Sequence, residues 1–278
     1  MINILIPTDF SQLADYAYKM AHSLFSDDDI EIHILSIVSV TPNVLFDEQG
    51  ELLEDGLLDL HSLYEVKQEL ESKMNKWLEG KDAIASAKVK IGQVTEDILR
   101  YIDDNNIDLL IMGTYGASGI KEVLIGSHTS YIAMRSPVPV LSLKSELSKE
   151  SIKDIVLVGD FRNPQMVDLD FIKVMRLTNN SRLRFLKVNT PGDFETNEEV
   201  VARMKEFSEM NELGEVDYHV YCDYSVGKGM ASFSEENDID LIAIGSNQRK
   251  GLSRVIKKSV SYEAINHIDK PIISFPVR

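Results

Sequence analysis

The chain has 278 residues, 44% of them hydrophobic, which suits two α/β domains of ordinary size better than one. Its net charge of −16 argues against nucleic acid as a partner, because phosphate backbones are bound by concentrated lysine and arginine. No apolar run in the sequence approaches the ~18–20 residues that span a bilayer, and the single cysteine excludes an internal disulfide. Because the sequence opens directly on a strand-like run rather than a signal peptide, we expect a cytoplasmic protein without a membrane partner.

Short apolar segments alternate with amphipathic ones, a pattern typical of a parallel sheet covered by helices on both faces. In the first half, the pattern predicts strands at 2–7, 30–38, 86–91, 107–112 and 139–143. It predicts helices at 11–24, 59–79, 94–105 and 127–135.

The second half repeats this alternation after a short polar linker at 145–151. We therefore expect an α/β fold of two tandem domains, residues 1–145 and 151–278, each built on an open five-stranded parallel sheet. The strands of the second domain are predicted at 153–158, 182–188, 216–221, 239–244 and 271–275. Its helices are predicted at 164–178, 196–212, 225–237 and 258–268.

The two halves are also similar in sequence, which indicates an internal duplication. Residues 103–113 are echoed by residues 235–245 at an offset of 132. Near the front of each half, residues 4–10 match residues 155–161 at an offset of 151. The second half has therefore lost 19 residues, most of them after its second strand.

A glycine-rich segment follows the fourth strand of the first half. Gly113 and Gly116 are followed, after nine residues, by Gly126 and by Ser127, where the last helix begins. Glycines let backbone N–H groups approach an anion closely, and a helix N-terminus adds further donors and the positive end of its dipole. The spacing favours a phosphate-binding loop over an ordinary strand-to-helix turn, although Ser127 also suits a helix N-cap.

Two further candidates lie at the carboxyl ends of the first two strands, where open α/β sheets bind ligands. Asp9 follows the first strand, and because its carboxylate would repel a phosphate, we assign it to ribose hydroxyls or an adenine amino group. The alternative is that Asp9 caps the first helix together with Ser11. Ile37, near the end of the second strand, either offers backbone groups and an apolar surface to a base or is simply a buried strand residue.

These motifs resemble the universal stress protein family, whose nucleotide-binding members carry G-x2-G-x9-G-[ST] after the fourth strand and an aspartate after the first. The resemblance covers both halves and implies the strand order 3-2-1-4-5, with ATP, alone or with Mg²⁺, held across strands one and four. One departure is Tyr115, where many relatives have histidine. The resemblance assigns nucleotide binding to Asp9, Ile37, Met112, Gly113, Gly116, Gly126, Ser127 and Thr129.

The glycine-rich segment is incomplete in the second half. Gln248 and Lys258 stand where the first half has Gly116 and Gly126, so that side chains would block the close approach of the backbone. We therefore expect nucleotide binding in the first domain only. The second domain is expected to pair with the first inside the chain, as members of the family pair in dimers.

The sequence favours a regulatory, stress-response protein that binds ATP over an enzyme. No nucleophile, base and orienting group can be assembled from the sequence, and the six histidines lack the spacing of a metal site. Two alternatives remain open. One is a slow ATP hydrolase or autophosphorylating protein, and the other is a ligand-free interaction scaffold of the same fold. A homodimer or a separate protein partner is compatible with each of these readings.

Overall fold

The computed structural model describes residues 1–40, 60–114, 127–146, 151–162, 169–246 and 268–276, in which strands and helices alternate as predicted. The elements of the first half are β1 (Ile2–Pro7), α1 (Gln12–Leu24), β2 (Ile30–Ser39), α2 (Leu60–Leu78), β3 (Ile84–Gly92), α3 (Val94–Asp104), β4 (Leu109–Gly113), α4 (Ser127–Arg135) and β5 (Val140–Leu143). A single 3-10 turn at Asp27–Asp29 precedes β2.

The second half follows the same order. Its elements are β6 (Asp154–Val158), α5 (Asp170–Asn179), β7 (Arg182–Asn189), α6 (Asn197–Met210), β8 (Asp217–Cys222), α7 (Val226–Glu236), β9 (Leu241–Ser246) and β10 (Ile272–Pro276). Two predicted helices lie partly outside the described residues. Of the helix predicted at 258–268 only Ile268 is described, and the first residues of the helix predicted at 164–178 are not described.

The ten strands form one sheet in the order β3-β2-β1-β4-β5-β10-β9-β6-β7-β8. Each half therefore has the order 3-2-1-4-5, and within each half all strand pairs are parallel. The α/β fold class and the strand order are confirmed. The sequence did not predict that the two sheets would be continuous: β5 and β10 pair antiparallel, which covers what would otherwise be an open edge in each half.

Helices cover both faces of the sheet, because strand residues alternate between two apolar clusters. Ile4 and Ile6 point into one cluster, together with side chains of α1, α2, α5 and α6, whereas Leu5 points into the other with those of α3, α4 and α7. On the first face the two halves also touch through their helices. The rings of Phe25 and Phe171 lie 6.2 Å apart, edge to face, which adds an apolar contact between the halves to the β5–β10 pairing.

Two aspartates at equivalent positions accept hydrogen bonds from the backbone at the amino ends of β1 and β6. Asp108 accepts a hydrogen bond from the backbone N–H of Asn3 at 2.8 Å. Asp240 accepts from the N–H groups of Lys153 and Asp154 at 2.8 and 2.9 Å. These side chains lie just before β4 and β9, so both strands begin two residues later than predicted. The repeated segments 103–113 and 235–245 each contain one of these aspartates, so the repeat has a structural cause. No helix in the described ranges is long and apolar enough to span a membrane.

Candidate functional site

The candidate site of the first half lies where the strand order reverses. β1 pairs with β2 on one side and with β4 on the other, so the connections that leave these strands diverge at their carboxyl ends. In open α/β sheets this divergence opens a crevice that binds ligands. Asp9 follows β1 and Gly113 ends β4, so both predicted residues lie at this edge.

The turn after β1 is stabilised by its own side chains. Phe10 has a positive φ of 62°, and its N–H donates to the Thr8 Oγ1 at 2.9 Å. The N–H of Ser11 donates to the Asp9 Oδ1 at 3.0 Å, which holds the exposed carboxylate against the start of α1. Ser11 is the N-cap residue of α1, but its side chain makes no capping hydrogen bond within the described residues. The Asp9 carboxylate therefore bonds the backbone at the start of α1, whereas the Ser11 side chain takes no part in capping among the described residues.

Ile37 lies near the carboxyl end of β2. It is half-buried, whereas its neighbours Ser36 and Val38 are buried, and it packs against the cluster on the α3 face. An accessible apolar side chain at this edge suits the flat face of a base. Met112, the residue before Gly113, is 7% exposed and belongs to the same apolar cluster.

Gly113 has a packing role that the sequence did not reveal. A Cβ at this position would lie 2.7 Å from the Cβ of Leu13 on α1, so only glycine allows α1 to lie this close to β4. Glycine is therefore required here whether or not a ligand binds. The helical spacing of Leu13 with Ala17 and Leu24 predicts one apolar face for α1, but spacing alone does not identify the partner of Leu13.

Hydrogen bonds hold both ends of the segment 115–126. The N–H and hydroxyl of Thr114 both donate to the carbonyl of Leu143 on β5, at 2.8 and 3.0 Å. In the first turn of α4, the buried hydroxyl of Thr129 donates to the carbonyl of Gly113 at 3.2 Å. The proton of Thr129 is thus directed at the protein backbone. Gly116 and Gly126 lie outside the described residues, and Ser127 is the first residue of α4.

The second half builds the same turn after β6. Phe161 has a φ of 56°, and the N–H of Arg162 donates to the Asp160 Oδ1 at 3.1 Å. Val188, the counterpart of Ile37, is buried. Phe161 is also buried, stacking on Phe185 with ring centroids 4.7 Å apart, whereas Phe10 is only half-buried.

An ionic network flanks this second turn, and sequence reasoning missed it. Glu195 accepts a two-pronged contact from Arg203 at 2.9 and 3.0 Å and a third from Arg162 at 2.9 Å. Asp193 lies 2.5 Å from the Lys187 Nζ and 3.1 Å from Arg162. The hydrogen bond from Lys187 lowers the pKa of Asp193, and that from Arg203 lowers the pKa of Glu195. The signal available in the sequence was the replacement of serines in the first half by cations at the matching positions.

The model of the universal stress protein family matches twice, at residues 1–144 and 154–276. The universal stress protein MJ0577 of Methanocaldococcus jannaschii is 28% identical over 162 residues, covering 52% of this chain and 96% of that protein. The crystal structure of a universal stress protein from Archaeoglobus fulgidus is similar in fold, with a TM-score of 0.68 and 19% identity, over 99% of this chain and 96% of that one. Since the family model matches nearly the whole chain in two copies, the chain belongs to the universal stress protein family.

Proposed function

We propose that this protein binds one adenine nucleotide, ATP, in the crevice of its first half, and that it acts as a regulatory stress-response protein of the cytoplasm. The observation that carries the proposal is the placement of the glycine-rich segment. β4 ends at Gly113 and α4 begins at Ser127, and β4 pairs with β1, the strand that Asp9 follows.

The residues present fit an adenosine phosphate. Asp9 offers an exposed carboxylate to the ribose hydroxyls or the adenine amino group, and Ile37 an accessible apolar surface to the base. The backbone N–H groups near Gly116 and Gly126, with the N-terminus of α4, would hold the phosphates, and Mg²⁺ would neutralise part of their charge. Thr129 would act by fixing the start of α4 to Gly113 rather than by donating its proton to a phosphate.

We propose that residues 151–278 form a domain without nucleotide, paired with residues 1–145. Gln248 and Lys258 replace the two glycines of the segment, and Val188 is buried where Ile37 is accessible. Its role would be to complete the continuous sheet through β10, in the way that a second subunit does in a dimer.

The test is to identify and count the bound ligand. Freshly purified protein is denatured, the released small molecules are identified by mass spectrometry, and ATP is titrated into nucleotide-free protein by calorimetry. We expect an adenine nucleotide and one site per chain. Two equivalent sites would contradict the restriction to the first half. The absence of any site would leave the ligand-free scaffold as the better reading, and ADP accumulating with time would indicate the slow hydrolase.

A further inference from the structure

The connection between β7 and α6, residues 190–196, crosses the carboxyl edge of the second half, and we call it the strap. It leaves β7 at Asn189, whose side chain makes two hydrogen bonds with the backbone of Glu195. The Asn189 side-chain N–H donates to the Glu195 carbonyl at 2.9 Å, and the Glu195 N–H donates to the Asn189 side-chain oxygen at 3.4 Å. Apolar burial contributes little to holding the strap, since its one large apolar side chain, Phe194, is 70% exposed. The strap is therefore held mainly by polar contacts.

Three cations from three different elements converge on the strap. Arg162 follows β6, Lys187 lies on β7, and Arg203 lies on α6. All three contact the carboxylates of Asp193 or Glu195 at 2.5–3.1 Å. Charge-assisted pairs with two-pronged geometry are the strong kind of surface contact, because they fix orientation as well as distance.

This arrangement lies at the carboxyl ends of β6 and β7, on the face of the sheet that α6 covers. Arg162 stands two residues after Asp160, the counterpart of Asp9, and Arg203 Nε donates to the backbone carbonyl of Asp160 at 2.8 Å. Lys187 precedes Val188, the counterpart of Ile37. Since side chains alternate along a strand, Lys187 points to the α6 face whereas Val188 packs on the α7 face. The network therefore lies beside Asp160, on the opposite face of the sheet from Val188.

The fold itself does not need these cations. The strands pair in equivalent register in both halves, Pro7 with Leu35 and Val158 with Leu186, which aligns Lys187 with Ser36. The first half builds the same sheet with Ser36 at that position and Ser11 in place of Arg162. The Lys187 side chain is only 5% exposed, and burying a charge costs free energy that an uncharged residue would not.

We propose that the three cations at the carboxyl ends of β6 and β7 form an anion-binding site whose present occupant is the strap. The carboxylates of Asp193 and Glu195 take the place of an anionic ligand such as a polyphosphate. With the strap carboxylates removed, the three cations would lose the carboxylates that neutralise them here, and the excess positive charge would attract a free polyanion. This inference rests on the described residues of the second half and does not depend on nucleotide binding in the first.

The test compares the full-length wild type with Asp193→Ala/Glu195→Ala, using inorganic tripolyphosphate as the probe. Hydrogen exchange across 190–196 should become at least about tenfold faster in the double variant, because the contacts that close the strap are lost. Tripolyphosphate should then raise its melting temperature by several degrees more than that of the wild type, whose own response measures any first-half site. Adding Arg162→Ser and Lys187→Ser should abolish this extra shift.

Arg182→Ser is the matched control, since Arg182 lies at the opposite end of β7 and is 61% exposed in its side chain. It should change neither measurement. A strap that stays protected after loss of both carboxylates would overturn the proposal, and so would a released strap without the extra shift. If the double variant does not fold, Arg162→Ser/Lys187→Ser, which copies the serines of the first half, must release the strap by the same exchange measurement, or the proposal fails. Failure of the proposed ATP site would show separately, as a wild type that does not bind ATP.

Discussion

In the first half, the turn after β1 carries Asp9 and Ser11, and in the second half the same turn after β6 carries Asp160 and Arg162. Both turns have a phenylalanine in the left-handed region and an aspartate that accepts from the backbone two residues on. The backbone of this turn is thus retained, while the side chains around it have diverged. In a duplicated chain, residues that both halves keep are candidates for a role in the fold, and residues that differ are candidates for a role specific to one half.

The largest expected effect is on the loop that only the first half keeps complete. Gly126→Val should weaken ATP binding by at least about a hundredfold, since a side chain there would block two charge-assisted N–H contacts, each contributing ~1.5–3 kcal/mol. Calorimetry measures the effect. The matched control is Lys258→Val at the equivalent position of the second half, which should leave affinity and stoichiometry unchanged. Equal loss in both variants would mean that the two loops act together.

A second prediction separates packing from ligand binding at Gly113. Gly113→Val should lower the free energy of unfolding by about 1–3 kcal/mol, because its Cβ would meet Leu13 at 2.7 Å. Denaturant unfolding measures this change, and in a double-mutant cycle with Leu13→Gly, which removes that Cβ, the double variant should lose less stability than the sum of the two single losses. Gly192→Ala is the control, since a Cβ there meets nothing within 4 Å and should change stability by less than about 0.5 kcal/mol. No coupling between positions 13 and 113 would contradict this account.

A third, smaller effect is expected at Thr129. Thr129→Val removes the donor to the Gly113 carbonyl and should cost about 1 kcal/mol of stability, while also loosening the start of α4 and weakening ATP binding. Thr129→Ser keeps the hydroxyl and should behave like the wild type in both measurements. Thermal unfolding without nucleotide distinguishes the two roles, because a residue that only contacts phosphate would leave the stability of the empty protein unchanged.

The sequence predicted the fold well because the fold depends on periodicity and on the duplication. The starts of β4 and β9 were predicted two residues early, since Ile107 and Ile239 are as apolar as strand residues and are buried. β4 begins only after Asp108, because the side chain of Asp108 accepts a hydrogen bond from the backbone of β1. The joining of the two sheets through β5 and β10 was not predicted either, because the partner of an edge strand is not encoded in its own pattern.

The candidate site was predictable only where a motif defines it. Asp9 and Ile37 follow from the rule that ligands bind at the carboxyl ends of strands, and their binding roles stay predictions. The contact between Leu13 and Gly113 joins residues 100 positions apart, and that between Arg162 and Glu195 joins residues 33 apart. Such pairings leave no periodic trace in the sequence. They exist only in the folded chain, which brings these distant residues together.

The smallest effect expected is the acid sensitivity of the strap. The pKa of Asp193 is lowered mainly by the hydrogen bond from Lys187, and that of Glu195 mainly by the one from Arg203. A carboxyl whose pKa is lower in the folded than in the unfolded chain contributes stability above its unfolded pKa, about 4, and loses it as the pH falls through the folded value. Stability should therefore decline below about pH 5 more steeply in the wild type than in Arg162→Ser/Lys187→Ser, where these cations are absent.

The difference should be small, because Asp193 is largely exposed and water and salt screen its pairs. Unfolding midpoints measured between pH 3 and 7 at low and high salt test this. Parallel curves at low salt would show that the lowered pKa values do not arise from these cations, and would leave Arg203 as the residue that holds the strap.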